Sequence, residues 1–213
     1  MRVGLLGGSF NPAHDGHRHI ARLALQRLRL DQVWLLVSPG NPLKPVAGMA
    51  PLAARFVTAD AIADGRRILA TAIESALGTR YTADTLAKLR QRFPRTTFVW
   101  LMGADNLEQL PRWHRWLEIA RSGAFAVLPR PTYNHRALAG QAAKRLHASR
   151  RASHLAPALA GMAMPAWVFL PAPQHAASAT AIRAAAETPH TGAAPTHGVS
   201  DHRPQAARAS VAA

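Results

Sequence analysis

Six short apolar runs mark the chain, and longer mixed segments separate them. The runs cover residues 3–6, 33–37, 66–73, 97–102, 124–128 and 167–170. In most of them the apolar residues are continuous rather than alternating with polar ones, which is typical of strands buried on both faces of a sheet. The pattern therefore predicts six strands of a parallel sheet.

The segments between these runs have the apolar spacing of helices. In the segment 17–30, the residues that repeat with a period near 3.6 are Ile20, Leu23, Ala24 and Leu28. Further helices are predicted at 52–63, 83–92, 107–121 and 137–149. Buried strands that alternate with helices predict an α/β fold, a doubly wound parallel sheet with helices on both faces. Such sheets bind ligands at the carboxyl ends of their strands.

The composition divides the chain into one folded domain and a tail. Of the 213 residues, 48% are hydrophobic, which is enough for one sizeable core. From residue 188 onward the sequence is rich in Pro, Ala, Thr and His and has almost no large apolar residue. We therefore predict a domain over 1–187 and a disordered tail over 188–213.

The sequence also narrows the setting in which the protein works. No apolar run approaches the roughly 18 residues that span a membrane, and the opening "MRVGLLGG" does not resemble a signal peptide. The chain contains no cysteine, which excludes disulfides and thiolate chemistry. These features predict a cytoplasmic protein that does not bind membranes.

The strong positive charge favours anionic partners. A formal net charge of +15 suits nucleic acid, a membrane surface or phosphorylated metabolites. Three of the 26 basic residues are lysines and arginine supplies the other 23, an excess that GC-rich coding also produces. Aromatic residues are only 6% and no known nucleic-acid-binding module is visible. A basic protein that binds duplex DNA in a salt-sensitive way is therefore only a remote alternative.

The segment "GGSFNPAHDGH" at 7–17 follows the first predicted strand and leads into the first predicted helix. Its glycines allow a ligand to approach the backbone closely, and the start of a helix offers free N–H groups to an anion. His14 and His17 lie three residues apart and can point to one side. They could be metal ligands, structural residues at the helix end, or donors to phosphate oxygens. The segment has neither the P-loop ending nor the dinucleotide-binding glycine pattern.

The same segment resembles the G-G-T-F-D-P-x-H-x-G-H signature of the nucleotidyltransferases, a superfamily of Rossmann-like enzymes that transfer AMP or CMP. A second signature of this superfamily, I-S-S-T-x-I-R, resembles "ASATAIR" at 177–183. That segment matches it at Ser178, Thr180, Ile182 and Arg183. Both signatures stand in the expected order, so the resemblance implies a Rossmann-like fold and nucleotidyl transfer.

Four segments between the signatures resemble the bacterial nicotinate-nucleotide adenylyltransferases in particular. They are "SPGNPLKP" at 38–45, "RYTADTL" at 80–86, "MGADNLEQLPRWHRW" at 102–116 and "LPRP" at 128–131. The resemblance covers residues 1–187. The pantetheine-phosphate adenylyltransferases share the histidine signature, but they are shorter and lack the Y-T-x-D-T-L and tryptophan segments.

The chain departs from the family pattern at four positions. They are Ser9 in place of Thr, Asn11 in place of Asp, Leu43 where a His is common, and Ala179 in place of the second Ser. Losing the histidine at position 43 removes one possible phosphate donor and leaves more of that work to Lys44.

The resemblance implies that AMP is transferred from ATP to nicotinate mononucleotide, which yields deamido-NAD and pyrophosphate. Nicotinamide mononucleotide and phosphopantetheine are the alternative acceptors. The implied catalytic residues are His14, His17, Lys44 and Arg183. The implied ATP-binding residues are Gly8, Ser9, Phe10, Gly103, Asp105, Ser178 and Thr180, and those for nicotinate mononucleotide are Thr82, Thr85 and Trp113. Mg²⁺ is implied as a cofactor that ATP phosphates and water hold, without a protein metal site.

Several of these residues also have an ordinary structural interpretation. Trp100 lies in an apolar strand and is expected in the core. Trp113 and Trp116 lie three apart on a predicted helix, a spacing that usually indicates packing. Asp105 could serve only as a helix N-cap, and Lys44 could be an exposed loop charge. The sequence predicts no oligomeric state.

Overall fold

The computed structural model describes residues 1–40, 47–173, 179, 182 and 183. Its strands form one parallel sheet. They are β1 (Arg2–Gly8), β2 (Gln32–Val37), β3 (Ile68–Thr71), β4 (Thr97–Gly103), β5 (Ala124–Leu128), β6 (Arg150–Arg151) and β7 (Trp167–Phe169). The strand order is β3-β2-β1-β4-β5-β7-β6, and every recorded pair is parallel.

Helices and turns of 3-10 helix connect the strands. The helices are α1 (Asp15–Arg27), α2 (Leu52–Ile62), α3 (Ile73–Ala76), α4 (Thr82–Arg92), α5 (Ala104–Gln109), α6 (Trp116–Ser122), α7 (Asn134–Ala139) and α8 (Gln141–Arg145). The 3-10 turns are Leu110–Arg112, His147–Ser149 and Ser153–Gly161. No helix among these is long and apolar enough to cross a membrane.

Buried apolar residues cover both faces of the sheet, which confirms the predicted doubly wound architecture. One cluster packs α1 and α2 side chains such as Leu25 and Ala59 against the sheet. The other packs Leu86 and Leu89 of α4 against the opposite face. Because neighbouring strand side chains point to opposite faces, the continuous apolar runs supply both clusters.

All six predicted strands are present, and β6 was not predicted because it consists of two arginines. The single predicted helix over 107–121 is wrong. Pro111 lies in a 3-10 turn and Arg115 has a left-handed backbone with φ of 52°, so the chain changes direction between α5 and α6. The predicted helix over 137–149 is also interrupted, because Gly140 has an extended backbone that ends α7 and precedes α8.

The order in which strands are added to the sheet reverses between β1 and β4, which are parallel neighbours in the middle of the sheet. After β1 the chain builds β2 and β3 on one side, and it then returns to build β4 and β5 on the other. The carboxyl ends of β1 and β4 therefore face a crevice where the connecting loops separate. This is the position at which the sequence analysis places its ligand.

Candidate active site

A cavity lies in this crevice, at the carboxyl ends of β1, β2 and β4. One wall consists of the glycine turn after β1 and the end of β2, including Gly8, Ser9 and Ser38. The opposite wall consists of the start of α4 and the segment after the Leu110–Arg112 turn, including Thr82 and Trp113. The cavity thus joins the first signature to three of the four segments on which the adenylyltransferase resemblance rests, those at 38–45, 80–86 and 102–116.

The two signature histidines cap the start of helix α1, and backbone N–H groups fix the tautomer of each ring. Nδ1 of the His14 ring accepts the Gly16 backbone N–H at 3.1 Å, and Nδ1 of the His17 ring accepts the His14 backbone N–H at 3.2 Å. Because a backbone N–H can only donate, each neutral ring carries its proton on Nε2. The ring centroids are 3.9 Å apart. This arrangement supplies two N–H donors rather than two metal ligands. Each histidine can therefore be a structural residue at the helix end and a phosphate donor at the same time.

Burial keeps His17 neutral. It lowers the pKa of His17 to about 3, and the nearby His14 and Arg130 charges act in the same direction. The Phe10 ring, which is 1% exposed, packs against the His17 ring with centroids 4.8 Å apart. A neutral imidazole with Nε2–H donates a hydrogen bond to a phosphate oxygen over the whole physiological pH range.

The same pKa predicts how acid affects stability. Above about pH 6.5, His17 is neutral in both folded and unfolded chains, and this contribution is complete. As the pH falls towards 3, the unfolded chain takes up a proton that the folded site refuses, so the free energy of unfolding decreases. Between pH 7 and pH 5 we expect wild type to lose about 2 kcal/mol more than His17→Gln. Urea unfolding of both proteins at the two pH values measures this, and equal losses would contradict it.

The second signature meets the first across the chain. The Arg183 guanidinium donates to the Asn11 carbonyl in the glycine turn, 172 residues away in sequence. Asn11 itself donates through Nδ2 to the Gly48 carbonyl at 2.8 Å and accepts the Ala50 N–H through Oδ1 at 3.1 Å. An aspartate could accept the second bond but could not donate the first. Asn11 therefore fits this loop better than the Asp of the family pattern.

The residues predicted to bind ATP at the end of β4 lie beside an arginine that sequence reasoning missed. Gly103 ends β4 and is the N-cap of α5, so the interpretation of Asp105 as an N-cap is wrong. The Asp105 carboxylate pairs with Nε of Arg130 at 3.7 Å. Arg130 belongs to the "LPRP" segment, and its charge also acts on His17. The R-P turn of the family pattern contains this arginine and could have indicated it, although the turn served above only as part of the resemblance.

Thr82 and the pair Trp100 and Trp113 line the part of the cavity where the sequence predicts the mononucleotide. Thr82 is the first residue of α4, and no side chain caps that helix start. Trp113 follows the 3-10 turn and lies edge-on to Trp100, with ring centroids 6.4 Å apart. Trp100 is 5% exposed, as expected for a core residue, although its ring also borders the cavity. Trp113 and Trp116 are not on one helix, so that part of the prediction is wrong, but both side chains are partly buried and pack against the same core cluster as Leu86 and Leu89.

Gly7 provides the room for the Trp100 ring. A Cβ atom at position 7 would lie 2.6 Å from that ring, far inside van der Waals contact. The first glycine of the signature is therefore required by packing against β4. Gly8, which follows it, borders the cavity.

Thr85 lies beneath the cavity wall rather than on it. It is fully buried, and its hydroxyl lies 2.9 Å from both Oε1 of Glu74 and Oγ1 of Thr79. Glu74 is the member of this group that borders the cavity. Burial raises the pKa of Glu74, and the Thr85 hydrogen bond opposes that rise. Sequence reasoning missed Glu74 because no motif marks it.

Contacts between the two acceptor segments hold them together. The rings of Tyr81 and His114 contact each other at a tilt of 36° with centroids 4.5 Å apart, and Arg115 pairs with Asp84 at 3.0 Å. These contacts fasten the Trp113 segment to the start of α4. Of the other sequence-predicted site residues, Lys44, Ser178 and Thr180 lie outside the described residues, as do Leu43 and the predicted tail at 188–213.

Comparisons with known proteins agree with this geometry. A model of the cytidylyltransferase-like family matches residues 5–185. A Gluconacetobacter diazotrophicus protein named "Probable nicotinate-nucleotide adenylyltransferase" is 60% identical over 185 residues, or 87% of this chain and 86% of the relative. A Gluconobacter oxydans protein of the same name is 60% identical over 183 residues, or 86% of this chain and 94% of the relative.

A solved structure supports the fold. Plasmodium falciparum nicotinic acid mononucleotide adenylyltransferase, complexed with NaAD, aligns with a TM-score of 0.62 at 15% identity. The alignment covers 86% of this chain and 82% of that one. Since the family model spans most of the chain and the bacterial relatives match over most of their length, the chain belongs to the cytidylyltransferase-like family and, within it, to the nicotinate-nucleotide adenylyltransferases.

Proposed function

We propose that the protein uses this cavity to transfer AMP from ATP to nicotinate mononucleotide, a reaction that yields deamido-NAD and pyrophosphate. One observation carries this proposal. The first signature holds the histidine pair with both Nε2 atoms protonated and binds Arg183 through the Asn11 carbonyl. The same signature contributes Gly7, Gly8 and Ser9 to the cavity that Thr82 and Trp113 also line. The segment that carries the phosphate donors thus adjoins a cavity with a place for an aromatic acid.

The chemistry requires alignment and charge neutralisation rather than a protein nucleophile. A phosphate oxygen of the mononucleotide attacks the α-phosphorus of ATP, and the bond to the departing pyrophosphate breaks. The attacking oxygen is already an anion, so no strong base is needed. His14 and His17 would donate to the α- and β-phosphates, and Arg183 would bind the triphosphate. Lys44 is proposed to hold the attacking phosphate.

The remaining ATP-side assignments follow the described geometry. The backbone of Gly8, Ser9 and Phe10 is proposed to approach the phosphates, since the Phe10 side chain is in the core. Gly103 and Asp105 are proposed to contact the ribose, where a carboxylate accepts hydrogen bonds from hydroxyl groups. Ser178 and Thr180 are proposed to add hydroxyl donors near the triphosphate.

On the acceptor side, Thr82 and Trp113 are proposed to bind the nicotinate ring. The backbone N–H groups at the start of α4 would receive the carboxylate, and the Trp113 indole would stack on the pyridinium. Thr85 is proposed to act indirectly, because its hydroxyl bonds within the group formed with Glu74 and Thr79.

Mg²⁺ is proposed to enter with ATP. The two histidines offer protonated Nε2 atoms, which suit phosphate oxygens and not a cation, so phosphate oxygens and water are left to hold the metal. When bound there, it would neutralise charge on the pyrophosphate group. The reaction uses ATP, which supports the predicted cytoplasmic location.

Product analysis with several acceptors tests this proposal. Purified protein would be incubated with ATP, Mg²⁺ and one of nicotinate mononucleotide, nicotinamide mononucleotide or phosphopantetheine, and pyrophosphate release would be followed. We expect release with nicotinate mononucleotide, accompanied by deamido-NAD. Release only with phosphopantetheine, or with none of the three, would contradict the proposed function. Trp113→Ala serves as the matched variant, since it alters the acceptor side and leaves the histidine pair intact.

A further inference from the structure

A buried arginine connects three loops around the cavity. Arg55 lies in α2 and is only 3% exposed. Its guanidinium donates to the carbonyls of Ser9, Ser38 and Ala50, each at 2.8 Å. In the described part of the chain, no carboxylate lies within ion-pair distance of it. The cation is therefore balanced by backbone dipoles alone.

Such a buried cation is costly to stability. Removing a charge from water has a large desolvation penalty, and neutral carbonyls compensate for it less well than a carboxylate would. Burial lowers the pKa of Arg55, but arginine remains charged at physiological pH. A hydrophobic residue of similar size would fill the same space without this cost. The charge and its three directed donors therefore need a reason other than core stability.

The acceptors of Arg55 are parts of the active-site cavity. Ser9 belongs to the glycine turn after β1, and Ser38 follows β2; both residues line the cavity. Ala50 belongs to the loop that Asn11 also binds. One guanidinium thus fixes the relative positions of the β1 turn and the β2 turn at the phosphate side of the crevice.

The contact with Ser9 also orients a backbone amide. In a trans peptide the C=O and N–H groups point in opposite directions. Because the Ser9 carbonyl points to the buried guanidinium, the Phe10 N–H of the same peptide points away from it. Ser9 lines the cavity, so the turn that carries this amide adjoins the cavity while its carbonyl is held by Arg55.

A second contact from α2 supports the same turn. The Thr58 hydroxyl, one helical turn after Arg55, accepts the Ala13 backbone N–H at 3.1 Å and donates to the Arg55 carbonyl at 2.8 Å. Helix α2 therefore holds the signature turn at both ends, before and after Phe10.

We propose that Arg55 is a positioning residue for adenylyl transfer, which orients the Ser9–Phe10 peptide and adds fixed positive charge behind it for the polyphosphate of ATP. The inference rests on the proposed function. It assigns Arg55 to the ATP half of the cavity and not to the nicotinate half, because its contacts reach only the β1, β2 and Ala50 loops.

Arg55→Lys tests the geometry while keeping the charge. Lysine has a point charge and cannot reach three carbonyls in the planar arrangement of a guanidinium. Equilibrium binding of ATP and of nicotinate mononucleotide would be measured separately, together with kcat and Tm. We expect ATP affinity to fall about tenfold or more, and nicotinate mononucleotide affinity to change less than about threefold. The control variant Arg66→Met removes one charge at an exposed position and should change neither the ATP affinity nor the nicotinate mononucleotide affinity.

The outcomes separate this inference from a purely structural role. Wild-type ATP affinity in Arg55→Lys would overturn the inference, and so would equal weakening of both ligands with a lower Tm, since loss of folded protein affects both halves alike. Arg55→Met should weaken ATP binding further, and if it does not fold, Arg55→Lys still decides the question. Failure of wild type to bind ATP would instead overturn the proposed function itself.

Discussion

Replacing His17 with alanine is expected to lower kcat for adenylyl transfer by about 10²–10⁴-fold while the protein remains folded. The His17 ring is held by the His14 N–H and by the Phe10 ring, so its Nε2–H is already positioned before ATP binds. Donors that are fixed in advance stabilise developing charge without reorganisation. Alanine removes the donor and opens the site to water, and both changes act on the transferring phosphoryl group.

Two variants make the His17 measurement specific. In His17→Gln the amide oxygen can accept the His14 N–H while the NH₂ group takes the place of Nε2–H, so this variant should retain more activity than alanine. His154→Ala, at an exposed position in the Ser153–Gly161 turn, should leave kcat unchanged. Activity of His17→Ala within about threefold of wild type would remove His17 from the mechanism.

The fold follows closely from the sequence because its strands are central and parallel. A strand covered by helices on both faces must be apolar throughout, and the run over 97–102 shows this directly. The helix over 107–121 could not be predicted correctly from periodicity. Its break depends on Pro111 and on a left-handed Arg115, a conformation that a non-glycine residue adopts only when surrounding contacts hold it.

The candidate site was predictable where short motifs mark it and not where distant residues meet. His14 and His17 stand in one signature, and their spacing at a helix start already indicated a shared direction. Arg55 and Glu74 carry no signature, since their roles depend on loops and helices that come together only in the folded chain. Thr85 is the opposite case. The motif that contains it matches the family pattern, but its hydroxyl forms its hydrogen bonds below the cavity rather than at its surface.

The kcat/KM for nicotinate mononucleotide is expected to exceed that for nicotinamide mononucleotide by at least about a hundredfold. The two differ only in a carboxylate or a carboxamide on a cationic ring. At the proposed acceptor side, the start of α4 near Thr82 has no side-chain cap, so its N–H groups would be free to bind the carboxylate, and Arg80 and Arg112 add positive charge to the cavity lining. An amide would place its NH₂ donor against these donors. Leaving such groups unpaired costs about 1–3 kcal/mol, and the lost attraction between carboxylate and helix dipole adds to this.

The Glu74 carboxyl is the group that could oppose this preference, since it borders the same cavity. Burial raises the pKa of Glu74, which reduces the negative charge directed at the ligand, while the hydrogen bond from the Thr85 hydroxyl opposes that rise. Thr85→Val removes that donor without changing the α4 N–H groups, so the pKa of Glu74 rises further and its negative charge decreases. We therefore expect Thr85→Val to increase the preference for the acid, and we expect kcat/KM for the amide to change less.

Trp113→Ala separates ring stacking from carboxylate recognition. A cationic ring over an indole gains roughly 0.5–2 kcal/mol, and both mononucleotides carry that ring. Loss of Trp113 should therefore lower kcat/KM for both substrates by a similar factor and leave most of the preference, because the carboxylate donors belong to α4. Steady-state measurements with each mononucleotide in wild type and Trp113→Ala decide the matter. Equal kcat/KM values for the two mononucleotides in wild type, or a preference for the amide, would refute this assignment of the pocket. A preference that is present in wild type and lost in Trp113→Ala would instead assign acid recognition to the tryptophan segment rather than to α4.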